Sequence, residues 1–314
     1  DAQAPLGAET RARAHRVLDF VMRNNENLAA ALAHSQQAAL AAQQANLPAL
    51  ALRCRVDAVR LLFMQGRFAH VLMQSEEIMP QLAEIGDSYG RGVLHSSMAL
   101  SYLLLGELQA GLAAAEAGYG VRVEIGDVPG RIIAANHRAL LLMTLDRVAE
   151  ARAVIEDALA IRTLTDEMHE LGYTLDKLAK IQLLEGDAAA AQATLRRALA
   201  LPAAANDVRL AGYLRRSLAL ALLTMGARAA ARQVLAEDLI TSELRFVFEH
   251  QLLEGLIALA DGDTLAAQTI GARLALWART EGYYLLAKKA DQLVARVEAP
   301  LHPAGWARLL WVGA

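Results

Sequence analysis

The sequence is short of the residues and patterns that mark several common classes of protein. It contains a single cysteine, Cys54, so an intramolecular disulfide is excluded and a reducing compartment, the cytoplasm, is expected. Prolines number only 7, and runs in which β-branched or aromatic residues alternate with polar ones are absent. Because alanine and leucine dominate instead, the composition predicts a nearly all-helical protein.

Charge and hydropathy exclude two kinds of partner. The formal net charge is -3, whereas binding to a phosphate backbone requires a basic excess, so we expect no nucleic-acid binding through this segment. The longest apolar run, residues 218–225, ends at Gly226 and is far shorter than the ~18 residues of a membrane span. The chain begins with Asp1 and has no signal-peptide pattern, so we expect a processed product or a part of a longer protein.

Catalytic patterns are missing as well. The 8 histidines show no metal-binding or triad spacing, and His250 with Glu254, four residues further on, is expected to be a solvated or capping pair. Gly118 and Gly120 have no preceding strand and no third glycine, so they form no phosphate loop. Cys54 lacks the flanking pattern of a nucleophile. The sequence therefore predicts no enzyme activity, no metal site and no cofactor.

What the sequence does contain is a turn that recurs at a fixed interval. Four turn glycines are separated by 40, 80 and 40 residues, one aspartate takes the missing position, and a last glycine follows 36 residues later. These residues are Gly66, Gly106, Asp146, Gly186, Gly226 and Gly262. A fixed period of this length indicates an array of repeats, each of which packs only on its neighbours.

A second turn has the same period. Ile-Gly-Asp occurs at residues 85–87 and again at 125–127, which is 40 residues on. Glycine suits the left-handed position after a helix end, and aspartate suits the cap of the next helix. Pro48 and Pro129 stand where a first helical turn tolerates proline, whereas Pro80 is expected to kink or shorten its helix.

The two turns together predict about seven helical hairpins, followed by a capping helix over 283–299 and an apolar tail over 300–314. The capping helix has a polar side that contains Lys288, Lys289 and Asp291. For the tail we expect packing on the last hairpin, with a linker or docking role as the alternative. The hairpins are expected at 8–46, 47–87, 88–127, 128–166, 167–207, 208–242 and 243–282.

Small residues recur at two places in each hairpin, where its helices would cross closely. The position seven before the turn residue holds Val59, Ala99, Ala139, Ala179, Ala219 and Gly255. The position five after it holds Val71, Gly111, Ala151, Ala191, Ala231 and Ala267.

This arrangement resembles the tetratricopeptide repeat, which has a small residue late in its first helix, a turn glycine and alanines through its second. The matching residues include Ala99, Tyr102, Gly106 and Glu107, and then Ala179, Gly186, Asp187, Ala191 and Ala198. The period of 40 exceeds the usual 34, and the early tryptophan of the family is absent. HEAT arrays have a similar period, but no proline recurs within the first helix. The resemblance implies an all-α, right-handed α-solenoid.

In the family that the sequence resembles, first helices line a concave groove that holds ligands. Carried over to this chain, the wall would contain Arg53, Asp57, Arg60, Ser97, Asn136, His137, Tyr173, Asp176, Lys177, Lys180, Tyr213 and Arg216. Basic residues outnumber acidic ones there, which favours an acidic ligand. Tyr173 and Tyr213, 40 residues apart, should be neighbours along the wall. The alternative for each residue is the solvated stripe of an amphipathic helix.

We therefore predict a non-catalytic scaffold that binds a peptide or protein segment in the groove. The alternative is a ligand-sensing module, because long repeats of this kind look like those in the regulatory segments of bacterial transcription activators. Self-association through the terminal hairpins is left open.

Overall fold

A computed structural model of the chain describes residues 7–24, 27–163, 170–238, 244–296 and 305–311. These residues form helices and, within the described ranges, no strand, which confirms the all-α prediction. The helices are α1 (Ala8–Asn24), α2 (Leu28–Gln44), α3 (Pro48–Met64), α4 (Phe68–Glu84), α5 (Ser88–Leu105), α6 (Leu108–Glu124), α7 (Val128–Thr144), α8 (Val148–Thr163), α9 (Leu171–Leu184), α10 (Ala188–Leu199), α11 (Pro202–Asn206), α12 (Val208–Thr224), α13 (Arg228–Ala236), α14 (Leu244–Ala260), α15 (Thr264–Thr280), α16 (Tyr284–Arg296) and α17 (Trp306–Trp311).

Each recurrent turn ends a helix in the same way. At Gly66, where φ is 75°, the Gly66 N–H donates to the Phe63 carbonyl and the Arg67 N–H donates to the Leu62 carbonyl, both at 2.9 Å. These two bonds satisfy carbonyls at the helix end and define a Schellman motif. Asp146, with φ 60°, supports the same pair of bonds although it is not a glycine. The interpretation of Asp146 as the missing turn residue is confirmed.

The aspartates after the second series of turns cap the helices that follow. Asp127 accepts a hydrogen bond from the Gly130 N–H at 3.0 Å, and Asp87 accepts one from Gly90 at 2.9 Å. The cap satisfies an N–H group that the first helical turn leaves without a partner. One Gly-Asp pair therefore ends one helix and starts the next.

The small-residue positions lie where the two helices of a hairpin cross. Ala99 and Ala139 before the turn, and Ala151 and Ala191 after it, are fully buried. A Cβ atom added to Gly111 would lie 3.1 Å from the carbonyl oxygen of Ala99 and 2.8 Å from Leu141 Cδ2. The close approach of the helix axes therefore depends on small side chains at these positions.

Two features of the helices differ from the sequence-based expectation, and some predicted boundaries lie outside the described residues. The helix α4 continues through Pro80 to Glu84, since one missing N–H in a packed helix does not end it. A short additional helix, α11, separates the fifth hairpin from the sixth. The predicted boundaries at 166 and 242, and residues 297–304 between the capping helix and the tail helix, lie outside the described residues.

The prediction that each repeat packs only on its neighbours is wrong near the end of the chain. The helix α16 packs against α5, and the tail helix α17 packs against α7, α9, α12 and α16. The ring of Tyr283 lies 5.3 Å from the ring of Phe68, in the second hairpin. The tail is thus docked, as predicted, but on the first helices of earlier hairpins, and Lys289 of the predicted polar side is buried.

Candidate binding groove

First helices of five consecutive hairpins enclose one cavity of about 500 Å³. They are α3, α5, α7, α9 and α12, and α6 adds one arginine. These helices face one cavity because the turn spacing repeats the same helical register in successive hairpins. Its lining residues are Arg60, Phe63, Met64, Tyr89, Val93, Ser96, Ser97, Leu100, Arg122, Ile133, Asn136, His137, Leu140, Glu170, Tyr173, Lys177, Arg209 and Tyr213.

The structure brings part of the predicted wall together at this cavity. The predicted residues that line it are Arg60, Ser97, Asn136, His137, Tyr173, Lys177 and Tyr213. Arg53 lies elsewhere, in a second cavity of about 430 Å³ that is bordered by Gly86 and Asp87. Its Nε atom is 3.5 Å from the Asp87 carboxylate. Asp57 is 4.0 Å from both Arg16 and Arg60 and does not line the groove.

Asp176 and Lys180 are buried rather than presented to the groove. The Asp176 carboxylate is 0 % exposed, and it lies 2.8 Å from Lys177 Nζ and 2.9 Å from Lys180 Nζ. Burial by itself raises the pKa of this carboxyl group, but the two ammonium groups and the hydrogen bonds from Lys177 and Ser217 hold its pKa well below the usual range. The three charges therefore form an internal ionic cluster.

Arg216 is buried in a similar cluster. Its guanidinium group lies 2.7 Å from Asp238 and 3.4 Å from Glu249, and it stands 4.6 Å from the centre of the Phe246 ring. His250 is also buried, with Nδ1 3.2 Å from Asp238, so the expected solvated pair with Glu254 is instead the edge of this cluster. Several cations of the predicted positive face are thus paired with carboxylates inside the fold, and these do not by themselves indicate an acidic ligand.

Polar residues on the inner wall join successive repeats. The position ten before the turn residue is Asn136, Asp176 and Arg216 in three consecutive hairpins. Asn136 donates to Thr174 at 3.2 Å, Asp176 accepts from Ser217 at 2.6 Å, and Arg216 lies 3.4 Å from Glu249. We call these contacts the polar ladder. These contacts account for several of the polar residues on the inner wall that the sequence analysis had assigned to ligand binding.

One group in the ladder retains unused hydrogen-bonding capacity. Thr174 donates its single hydroxyl hydrogen to the Glu170 carbonyl at 3.0 Å and accepts from the Asn136 amide at 3.2 Å. In this arrangement the amide nitrogen of Asn136 faces Thr174. Its Oδ1 atom is then buried without a hydrogen-bond partner among the described residues, and Asn136 lines the cavity. A buried acceptor without a donor is costly unless another molecule supplies one.

Tyr173 and Tyr213 are neighbours, as their spacing predicts. Their rings meet edge to face, with centroids 5.9 Å apart. The Tyr173 hydroxyl donates to Asp207 at 2.8 Å, and burial together with this bond raises the pKa of Tyr173. Asp207 also caps α12, so the Tyr173 hydroxyl links α9 to the start of the next hairpin. The Tyr173 ring forms part of the cavity wall.

Comparison with known proteins supports the fold through structure alone. No protein-family model matches the chain, and no curated protein matches its sequence. A solved structure of a tetratricopeptide repeat protein from Parabacteroides merdae aligns over 92% of this chain and 99% of its own length. The TM-score is 0.57 and the sequence identity is 14%. The chain has a tetratricopeptide-repeat fold.

Within this tetratricopeptide-repeat array, sequence reasoning missed Arg122. The residue belongs to the second helix of its hairpin, yet its side chain reaches the cavity between α5 and α7. Its guanidinium group donates to the Gly92 carbonyl at 3.1 Å and to Asp127 at 2.9 Å. A Cβ atom at Gly92 would lie 3.2 Å from Arg122 Nε, so the glycine provides the space that the Arg122 side chain occupies. Helix-interior glycines opposite an arginine are the signal that would have identified it.

Two other properties of the array bear on its chemistry. Among the described residues, no group of three or more histidine, cysteine, aspartate or glutamate side chains is placed to hold a metal ion. Likewise, no helix in the described part of the chain is both long and apolar enough to cross a membrane.

Proposed function

We propose that this tetratricopeptide-repeat array is an interaction scaffold that binds an extended segment of a partner protein in the groove. The continuous cavity along five first helices carries the proposal, and at its wall the buried Oδ1 atom of Asn136 is an acceptor without a hydrogen-bond partner among the described residues. Arrays of this fold class present such surfaces for binding, and the groove spans five hairpins.

The rest of the cavity suits the side chains of such a segment. Apolar residues from three helices line the cavity together with Asn136, among them Phe63, Val93 and Ile133. Tyr173 and Tyr213 add aromatic surface of the kind that dominates binding energy at interfaces. Arg60, which is half exposed, is the wall cation best placed to reach an acidic side chain. We therefore propose a mixed apolar and polar segment.

Selection from a displayed library of random peptides tests this function. The purified chain is the target, and the Ile133→Trp variant, whose larger side chain occupies part of the cavity, is the counter-target. Affinities of the enriched peptides are then compared in the Asn136→Leu variant, which keeps the branching and the number of side-chain heavy atoms but removes the acceptor and the donor to Thr174. We expect roughly two- to tenfold weaker binding, the value of one hydrogen bond.

The matched control is Gln109→Leu, which removes an exposed amide from α6 outside the cavity. It should leave peptide affinity unchanged. Peptides that bind Ile133→Trp as well as the wild type, or a selection that enriches none, would count against the groove. Charge reversal at Lys177 and Arg216 is a poor test, because it would break buried ion pairs and so disturb folding.

A small-molecule sensor is the second candidate, and the cavity volume favours it. About 500 Å³ lies within the range of ~300–1,000 Å³ that small-ligand pockets occupy. A thermal-shift screen against metabolites tests it, since a ligand of the folded state raises the melting temperature. A hit must disappear in Ile133→Trp. Such a hit would support a regulatory module of a bacterial signalling protein.

We propose a cytoplasmic location for the chain. The Cys54 side chain is fully buried, and burial raises the pKa of its thiol to about 11, so the thiol remains protonated and unpaired at neutral pH. Self-association through the terminal hairpins stays a prediction; α1 exposes Val17 and Val21 on its surface.

A further inference from the structure

The tail helix α17 occupies the inner wall next to the cavity. It packs on α7, α9 and α12, which are first helices of three consecutive hairpins. Trp306, Leu309, Leu310 and Trp311 are all buried by this contact. A six-residue helix is too short to be stable alone, so its conformation depends on the wall that receives it.

Specific polar contacts fix the position of α17. The Lys180 ammonium group lies 5.3 Å from the centre of the Trp311 ring and 5.4 Å from that of the Tyr213 ring. Lys289 donates to the Leu310 carbonyl, and Arg308 lies 2.6 Å from the turn residue Asp146. One contact is left unmade, because the buried Trp306 Nε1 atom has no hydrogen-bond partner among the described residues.

The docked helix α17 and the cavity lie against different parts of the same helices, α7, α9 and α12. The cavity uses Tyr173 and Lys177 from the first half of α9, and Trp311 contacts Lys180 less than one turn further along. Asp176 joins Lys177 to Lys180. The same set of helices therefore presents an open part, which is the cavity, and a covered part, which holds α17.

We propose that the covered part is a recognition site for a short helix with aromatic and aliphatic residues on its buried side, and that residues 306–311 are its occupant within the same chain. A helix of the same chemistry, supplied from outside, displaces α17 from this site. The inference goes beyond the segment proposed for the cavity and does not depend on it.

The test uses the full-length chain and a fluorescent peptide with the sequence of residues 305–314. In the wild type, the tethered helix competes at an effective concentration on the order of 1 mM, so the labelled peptide should bind weakly. The Trp306→Ala/Trp311→Ala variant weakens the tethered helix and leaves the wall unchanged. We expect its affinity for the peptide, measured by fluorescence anisotropy, to be at least about tenfold higher than that of the wild type.

A second substitution distinguishes binding at this site from non-specific binding of the peptide. A peptide with Trp311→Leu cannot place an aromatic ring over the Lys180 ammonium group, so it should bind the double tryptophan variant several-fold more weakly than the unchanged peptide, while Lys180 keeps its buried pair with Asp176. Lys288→Met, at an exposed lysine of α16 in the double variant, should leave the affinity for the unchanged peptide as it was. Equal peptide affinity in the wild type and the double variant, or no binding to the double variant at about 1 mM peptide, would overturn the proposal.

Hydrogen exchange of the unmodified chain tests the proposal without any variant. A displaceable occupant must open without global unfolding, so the amides of residues 306–311 should exchange faster than those of α9. Exchange of α17 only through global unfolding would show a permanent part of the core and would overturn the proposal. A failure here leaves the peptide selection against the cavity unaffected.

Discussion

Most polar residues that we have followed on the inner wall make contacts between successive repeats. These contacts occupy hydrogen-bonding groups that a ligand would otherwise use. In the polar ladder, Asp176 is a fully buried charge, and two lysines and a serine direct their donors at its carboxylate. Buried charges are tolerated only when they are paired and hydrogen-bonded. Asn136 is the exception, because half of its amide has no partner within the described residues.

Asp176→Ala should destabilise the chain by about 3–5 kcal/mol, since it leaves two buried ammonium groups without this carboxylate. Urea unfolding measures the loss, and Asp157→Ala, at an exposed aspartate, should change stability by less than about 0.5 kcal/mol. A loss as small as that of the control would show that the cluster does not stabilise the fold.

The pH dependence of this loss has a definite sign. The folded pKa of Asp176 is lowered, so its contribution is fully present above the unfolded pKa of about 3.9 and is lost as the pH falls through the folded pKa. The stability difference between wild type and Asp176→Ala should therefore be constant between about pH 5 and 8 and shrink only in stronger acid.

At the scale of the secondary-structure element, the array is built from single helices, each followed by a turn. Most first and second helices of the early hairpins contain 17 residues, and each ends in a left-handed turn residue. A hairpin of two such helices gives the period of 40, which is longer than the usual tetratricopeptide repeat. Small residues at fixed distances from the turn then set how closely the two helices cross.

Ala191→Leu tests the crossing, because Ala191 is fully buried five residues after its turn. The extra volume should cost about 1–3 kcal/mol through displaced neighbours. Ala189→Leu, on the exposed side of the same helix, is the matched control and should lie within about 0.5 kcal/mol of the wild type. Equal midpoints in urea for the two variants would contradict a close crossing at α10.

At the scale of the whole molecule, contacts between distant parts of the chain set this array apart from a simple solenoid. Phe68 belongs to the same hydrophobic core as Leu175, Tyr283 and Trp306. A solenoid with contacts between neighbours alone can unfold repeat by repeat, whereas these distant contacts couple early hairpins to late ones.

Gly66→Ala measures the contact between the second hairpin and α16. Alanine at this left-handed position costs about 1 kcal/mol, and its Cβ would also collide with the Tyr283 hydroxyl. Gly226→Ala is the control, because its φ of 79° is similar and no atom lies within 4 Å of the added Cβ. We expect Gly66→Ala to be less stable than this control by about 1–3 kcal/mol in urea unfolding.

Removal of the hydroxyl should recover part of that difference. The Gly66→Ala/Tyr283→Phe variant is therefore expected to be more stable than Gly66→Ala alone. Equal losses for Gly66→Ala and Gly226→Ala would mean that the contact between Tyr283 and the Gly66 turn contributes nothing to stability.

Local rules in the sequence determined the helices, their turns and their crossings. A glycine, asparagine or aspartate at positive φ, an N-cap aspartate and a small residue near the crossing each act within a few residues along the chain. The position of the groove followed from the same register, which is why Asn136, Tyr173 and Tyr213 were identified.

Only the tertiary structure decided which polar residues face the cavity and where the tail docks. Asp176 and Arg216 have the helical register of groove residues, but Asp176 is paired with Lys180 of its own helix, Arg216 is paired with Asp238 just after α13, and the packing of the repeats buries both pairs. The contact of α16 with α5 depends on the curvature that accumulates over several repeats, because small rotations at each interface add up. No local pattern specifies that sum, so residues more than 200 positions apart, such as Gly66 and Tyr283, meet without a signal in the sequence.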